Sequence, residues 1–468
     1  MQKRITNLTI QWHITSACGN RCRHCYMYDP KTYQKERENE LGGKELFDIL
    51  NRIEDFEHQW NASIKGFALT GGDPLLKPEW PELVAELKRR GKTVVMMGTP
   101  ETLTHDNVRR LADLGVSRYQ LSLDGLETTH DAIRGRGSFA RTVSALRVLR
   151  EHDLDPQVMF TLHNENRDEL IPLVDFVAHH TDATRFSFDL ASCVGNATGL
   201  STTLSADQLH TLLTAYLEKK ESFRASGNPL LLNEKPHLFY ALRAMRGEIS
   251  PIAPEDMPDV SGCLAGWGCV CILADGTVPA CRRFPLVVGD LKTQRFEEIF
   301  LGSTELKKFR RPQFFHECGA CEYYTLCRGC PAVVFGETGD PFAPPSFCFK
   351  KSPQKSNTAH EFHISSFAPI PLDTNFQEEH DLIANSFRHT IGLHGDMIDK
   401  HHVLQALLLL KSKDMQEKHN QNPEVFFQEF HIELNPKEQF FVQTFWHTTD
   451  KKKHERIENA LFWKMFTQ

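Results

Sequence analysis

LTIQWHITSACGNRCRHCY, residues 8–26, sets a short β-rich run directly before three cysteines. The run LTIQWHIT reads as a strand, and Cys18, Cys22 and Cys25 follow it with the spacing C-x3-C-x2-C. Three thiolates on one loop can hold three irons of a [4Fe-4S] cube and leave the fourth iron open to an external ligand. A structural zinc site wants four closed ligands, so zinc would need a further group such as His24.

Outward from this stretch the pattern repeats. KGFALT (65–70), KTVVMMGT (92–99), SRYQLSLD (117–124), PQVMFTLH (156–163) and RFSFDL (185–190) are further strand-like runs. Amphipathic stretches such as ELFDILNRIEDF (45–56) and PELVAELKRR (81–90) separate them. Six strand-helix units over residues 1–235 predict an α/β fold with a parallel sheet or partial (β/α)6 barrel.

Residues 236–352 are rich in Cys, Gly and Pro and poor in long periodic segments, a composition that calls for metal to hold it together. Beyond them, residues 353–468 read as a small α+β domain. The last 115 residues hold 11 of the 23 histidines and 12 of the 32 phenylalanines but no cysteine. There VLQALLLLKSK (403–413) and HERIENALFWKMF (454–466) predict helices, and EVFFQEFHIELN (424–435) and FFVQTFWHTT (440–449) two strands. His389, His394, His401 and His402 lack a recognisable zinc spacing.

Composition narrows the function. With 54 Lys plus Arg against 61 Asp plus Glu, the net charge of −7 argues against a general affinity for nucleic acid or anionic lipid. No run approaches the ~18 apolar residues a membrane span requires. The first residues carry neither a continuous apolar segment nor a cleavage site, so a cytoplasmic location is expected. In a reducing compartment, 13 cysteines point to metal or redox chemistry rather than disulfides.

The form ACGNRCRHCY resembles the signature of the radical S-adenosylmethionine (SAM) enzymes, whose open iron is chelated by the cofactor's methionine moiety. Two later segments fit that resemblance. Thr70-Gly71-Gly72-Asp73-Pro74 is similar to the family's GGEP loop, with Asp in place of Glu, and implies that Gly71, Gly72 and Asp73 receive the cofactor's ammonium group. Ser122-Leu123-Asp124-Gly125 with Arg134 resembles the segment for the methionyl carboxylate and ribose, Ser122 and Arg134 taking the carboxylate. His24 stands where the family usually has an adenine-flanking aromatic, with Tyr26 two places on as the other candidate ring.

A second cysteine block reads Cys263-x5-Cys269-x-Cys271-x4-Gly276-x4-Cys281, then Cys318-x2-Cys321-x5-Cys327-x2-Cys330, then Cys348. It resembles the SPASM domain of radical SAM enzymes, departing by one residue before Cys330. Carried over by position, one auxiliary [4Fe-4S] cluster would take Cys263, Cys269, Cys281 and Cys330, and another Cys318, Cys321, Cys327 and Cys348. Cys271 could replace Cys269. In isolation the spacing also fits two zinc sites, whereas Cys193 reads as an ordinary thiol.

The resemblance implies SAM, three [4Fe-4S] clusters, anoxic conditions, a low-potential donor of flavodoxin or ferredoxin type, and hydrogen-atom abstraction by a 5′-deoxyadenosyl radical. The auxiliary clusters would accept the electron left on the substrate. Proteins of this layout mostly modify ribosomally made peptides, so a side-chain crosslink such as a thioether on a precursor peptide is the leading expectation, the tail being either a capping or dimer-forming domain or one that recognises the peptide's leader. Formylglycine formation ranks lower, because sulfatase maturases place an Asp base where Arg282 stands here. Tetrapyrrole side-chain chemistry is the runner-up, and a zinc-bound scaffold the non-enzymatic alternative. No motif marks a base; Asp189 and Asp275 stand near the cluster segments and read as solvated or structural residues.

Overall fold

The computed structural model describes residues 4–29, 33–198, 204–248, 262–350 and 376–386. All six expected strands form: β1 (Ile5–Thr15), β2 (Ala62–Gly71), β3 (Thr93–Met97), β4 (Arg118–Ser122), β5 (Asp155–Leu162) and β6 (Arg185–Leu190). They lie side by side in chain order, every neighbouring pair parallel. Parallel neighbours need crossover connections, and the intervening helices supply them.

Each crossover helix hides one apolar stripe against the sheet. Helix 43–59 buries Leu46, Ile49, Leu50, Ile53 and Phe56, spaced three and four apart, while its charged residues face outward. On β1, Ile10, Trp12 and Ile14 are buried, and the alternate residue His13 lies on the opposite face, fully buried with neither ring nitrogen hydrogen-bonded. Burial, with a smaller push from Arg282, drives its pKa down to about 3, so His13 is neutral at pH 7.

Two further strands extend the six-unit reading to an eight-stranded sheet. β7 (Leu231–Leu232) pairs with β6, and β8 (Cys269–Ile272) pairs in parallel with β1, Thr9 opposite Cys269 and Trp12 opposite Ile272. β8 comes from the cysteine-rich segment, so that segment contributes an edge of the barrel sheet. An antiparallel ribbon of β9 (Thr277–Cys281) and β10 (Phe284–Asp290) follows.

Compact packing divides the chain into Met1–Thr390 and Ile391–Gln468. Helix 376–386, which the sequence reading assigns to the tail, packs on the first unit. Its buried Glu379 pairs with Arg310 at 2.8 Å and with Arg311, and His380 Nε2 lies 2.7 Å from the Trp60 carbonyl oxygen. The helices and strands expected over 403–466, and His389, His394, His401 and His402, fall outside the described residues. Among the described residues, no helix is long and apolar enough to cross a membrane.

Candidate functional site

The carboxyl ends of the parallel strands open into a cavity. Ligands in parallel α/β sheets gather at this end, because loops there can converge from every strand. The loop after β1 brings Cys18, Cys22 and Cys25 to the cavity; the loop after β2 brings Gly71 and Gly72, and the end of β4 brings Ser122. His24, Tyr26 and Arg134 also line it. Eight of the eleven residues expected on sequence grounds to bind the first cluster or SAM therefore share one cavity with one another, and Arg134 joins them from helix 127–134 as the ninth.

The glycines explain how the loops fit. Gly72 N–H donates to the Thr15 carbonyl (2.9 Å) and Asp73 N–H to that of Ala17 (2.7 Å). A Cβ on Gly72 would stand 2.2 Å from the Ala17 carbonyl oxygen and 2.7 Å from Cys18 Cβ, so only glycine lets the two loops touch. From the other side, Asn196 N–H donates to the Cys25 carbonyl (3.0 Å) and its Nδ2 to that of Cys22 (2.8 Å). The sequence reading missed Asn196; no local signal ties it to a loop about 170 residues earlier.

Asp73 and Asp124 differ from expectation: neither lines the cavity. Asp73 is buried, its Oδ2 accepting from Thr99 Oγ1 (2.7 Å) and Thr102 Oγ1 (2.8 Å), its Oδ1 from Leu75 N–H (3.2 Å). The shorter side chain is held back by these hydroxyls, and Thr99 stands at the cavity wall instead. Asp124 is fully buried behind the wall. Its Oδ2 takes Arg134 Nε and lies 3.0 Å from His24 Nε2, while Oδ1 accepts from Thr161 N–H (2.8 Å). Burial alone would raise its pKa, but Arg134 and His24 outweigh burial and hold it well below the carboxylate range. Asp124 thus holds two residues of the cavity wall. Arg134 Nη1 in turn lies 3.8 Å from Cys22 Sγ.

Of the first expected quartet, Cys269 and Cys330 each lie within electrostatic reach of Cys263 and Cys281. Burial raises the pKa of Cys269 to about 11, with Cys281 and Cys263 adding to it; Cys330 is raised likewise, by burial and then by Asp189, Cys263 and Cys281. Cys318, Cys321, Cys327 and Cys348 line a second cavity of about 580 Å³. Burial pushes Cys318 and Cys327 up to about 12, the other thiols of that quartet contributing. Cys271, two residues along β8 from Cys269, is near Cys281 as well. Among the described residues, no three His, Cys, Asp or Glu side chains are gathered tightly enough for a single metal ion.

Of the two candidate bases, Asp189 lines the main cavity but is engaged by His237 Nε2 (3.0 Å) and Arg283 Nη2 (3.3 Å). Burial would raise its pKa, yet Arg283, His237 and Lys235 depress it, leaving a weak base. Asp275 accepts from Thr277 N–H and Oγ1 within a turn.

Comparison with known proteins agrees with this geometry. A family model described as the Radical SAM superfamily matches residues 12–177, and one described as an iron-sulfur cluster-binding domain, SPASM, matches 263–331. An AdoMet-dependent heme synthase of Methanosarcina barkeri is 28% identical over 355 residues, 74% of this chain and 97% of that protein. A mycofactocin maturase of Mycobacterium tuberculosis is 27% identical, over 70% of this chain and 79% of its own length. The solved structure of Streptococcus suis SuiB bound to S-adenosylmethionine shares the fold, with a TM-score of 0.57 at 17% identity, covering 74% of this chain and 75% of that one.

Proposed function

Because the chain is a radical SAM protein with a SPASM domain, we propose that it oxidises a side chain of a carboxylate-bearing tetrapyrrole. Cys18, Cys22 and Cys25 would hold the first cluster, Ser122 and Arg134 the SAM carboxylate, and the backbone of Gly71 and Gly72 its ammonium. When bound to that cluster and reduced, SAM supplies a 5′-deoxyadenosyl radical able to take a hydrogen atom from an unactivated C–H bond. Two auxiliary clusters would sit on the two cysteine quartets.

The chain's own part is placement. Asp124 fixes the Arg134 guanidinium and the His24 ring at one wall, so a carboxylate beside the cysteine loop meets a cation that is already oriented. Gly72 and Asn196 clasp the cysteine loop from opposite sides. Barrel walls of Met97, Met159 and Leu190 limit water at the reacting carbon.

One observation carries the tetrapyrrole reading over the peptide one. The relative spanning nearly its whole length with this chain is named a heme synthase, and another at 23% identity a Fe-coproporphyrin III synthase. Peptide maturation is the competing reading, since SuiB has also been solved with a precursor peptide, although at 17% identity that likeness speaks for the fold alone.

The test is an anoxic turnover of the reconstituted full chain with SAM, a strong reductant and Fe-coproporphyrin III. A porphyrin product of lower mass, formed together with 5′-deoxyadenosine, is expected. Unchanged porphyrin, with co-expressed precursor peptides changing mass instead, would replace this reading by the peptide one.

A further inference from the structure

Basic side chains outnumber carboxylates in the main cavity. Arg134, Lys235, Arg282 and Arg283 line it against a single carboxylate, Asp189. Arg134 is paired with Asp124, and Arg283 with Asp189, the Leu190 carbonyl (2.7 Å) and Cys330 Sγ (2.9 Å). Lys235 and Arg282 have no carboxylate within ion-pair distance among the described residues.

Their surroundings show where they point. Arg282 follows Cys281 at the end of β9 and reaches into the barrel: its guanidinium lies 5.6 Å from the centre of the Tyr26 ring, and Nη1 lies 3.9 Å from Met97 Sδ on β3. Tyr26 is one residue past Cys25, so this cation stands beside the cysteine loop. Lys235 caps helix 236–245, whose amino end adds positive potential. Burial lowers the Lys235 pKa; nearby Asp189 opposes the drop, and Arg282 and Arg283 add to it. Cations that lack a carboxylate in direct contact are costly to hold in a cavity, and an anionic ligand offsets that cost.

We infer that Lys235 and Arg282 together grip a carboxylate of the substrate inside the cavity that Arg134 also lines. Arg282 supplies a planar fork and Lys235 a point charge, so the pair fixes the end of an acidic side chain while the C–H bonds next to it face the cysteine loop. For the identity of the substrate this rests on the tetrapyrrole reading; the anion site itself does not.

The experiment uses the reconstituted full chain with SAM and no reductant. Binding of coproporphyrin III is compared with that of its analogue whose propionates are converted to neutral amides, by the porphyrin absorbance. In parallel, crystals are soaked in sodium iodide. The wild type is expected to prefer the acid, and Lys235→Gln and Arg282→Gln each to lose about tenfold or more of that affinity, as removal of a charge-assisted hydrogen bond does. Lys235→Arg should retain the preference, and the surface variant Arg147→Gln, 69% exposed, should match the wild type. Iron content measured for each variant separates a lost clamp from a lost cluster.

Equal binding of acid and amide, or unchanged affinity in both Gln variants, overturns the clamp and leaves the tetrapyrrole reading standing. Should neither porphyrin bind, while iodide occupies the space between Lys235 and Arg282 and vanishes in Lys235→Gln, the clamp holds and the tetrapyrrole reading fails. No porphyrin binding and no iodide removes both.

Discussion

Replacing Asp124 by Ala is expected to lower the stability of the cluster-free chain by about 3–5 kcal/mol, the usual cost of breaking a buried ion pair from one side. Asp124 is fully buried, and its carboxylate is the shared partner of Arg134 Nε and His24 Nε2. Without it Arg134, 17% exposed, keeps its charge but loses its counterion, and Thr161 N–H loses its acceptor. SAM affinity should fall as well, since the guanidinium that faces Cys22 is no longer held. Denaturant titration gives the first effect and equilibrium dialysis against labelled SAM the second. Asp124→Asn keeps an acceptor for Thr161 and should recover part of the stability but little of the affinity. Wild-type stability and affinity in Asp124→Ala would show that the cluster of charges is incidental.

The second large effect concerns the auxiliary thiols. A Cys271→Ala/Cys281→Ala double variant is expected to drop from about twelve to about eight irons per chain, one cube of four being lost. Both substitutions are made because the spacing leaves Cys271 as an alternative ligand to Cys269. The variant should still produce 5′-deoxyadenosine, as the first three cysteines are on a different loop, while substrate oxidation falls to background. Full iron content, or normal product, would remove the auxiliary role assigned to Cys263, Cys269, Cys281 and Cys330.

What could be read from the sequence was local or strictly ordered along the chain. The six strand runs and the C-x3-C-x2-C loop each carry their signal in a few adjacent residues, whereas the quartets of the second block, spread over residues 263–348, came only from the resemblance. What could not be read depends on long-range closure. β8 is four residues of a cysteine-rich segment, too short to show a period, and only the free edge of β1 makes it a strand. Asp73 and Asp124 sit in recognisable motifs, yet their partners Thr99, Thr102 and Thr161 come from other loops, so their retreat behind the cavity wall is a tertiary fact. Arg282 was legible only as a departure from a pattern; that it enters the barrel beside Tyr26 follows from how the ribbon β9–β10 packs.

All of these readings depend on an iron cube with one vacant corner at Cys18, Cys22 and Cys25. The direct measurement is 5′-deoxyadenosine released by the anoxically reconstituted chain given SAM and dithionite, beside the Cys18→Ala/Cys22→Ala/Cys25→Ala variant. The wild type is predicted to be brown and to release the nucleoside, and the triple variant to release none even with its auxiliary iron in place. A wild type that releases none, or a triple variant that releases as much, would contradict the account.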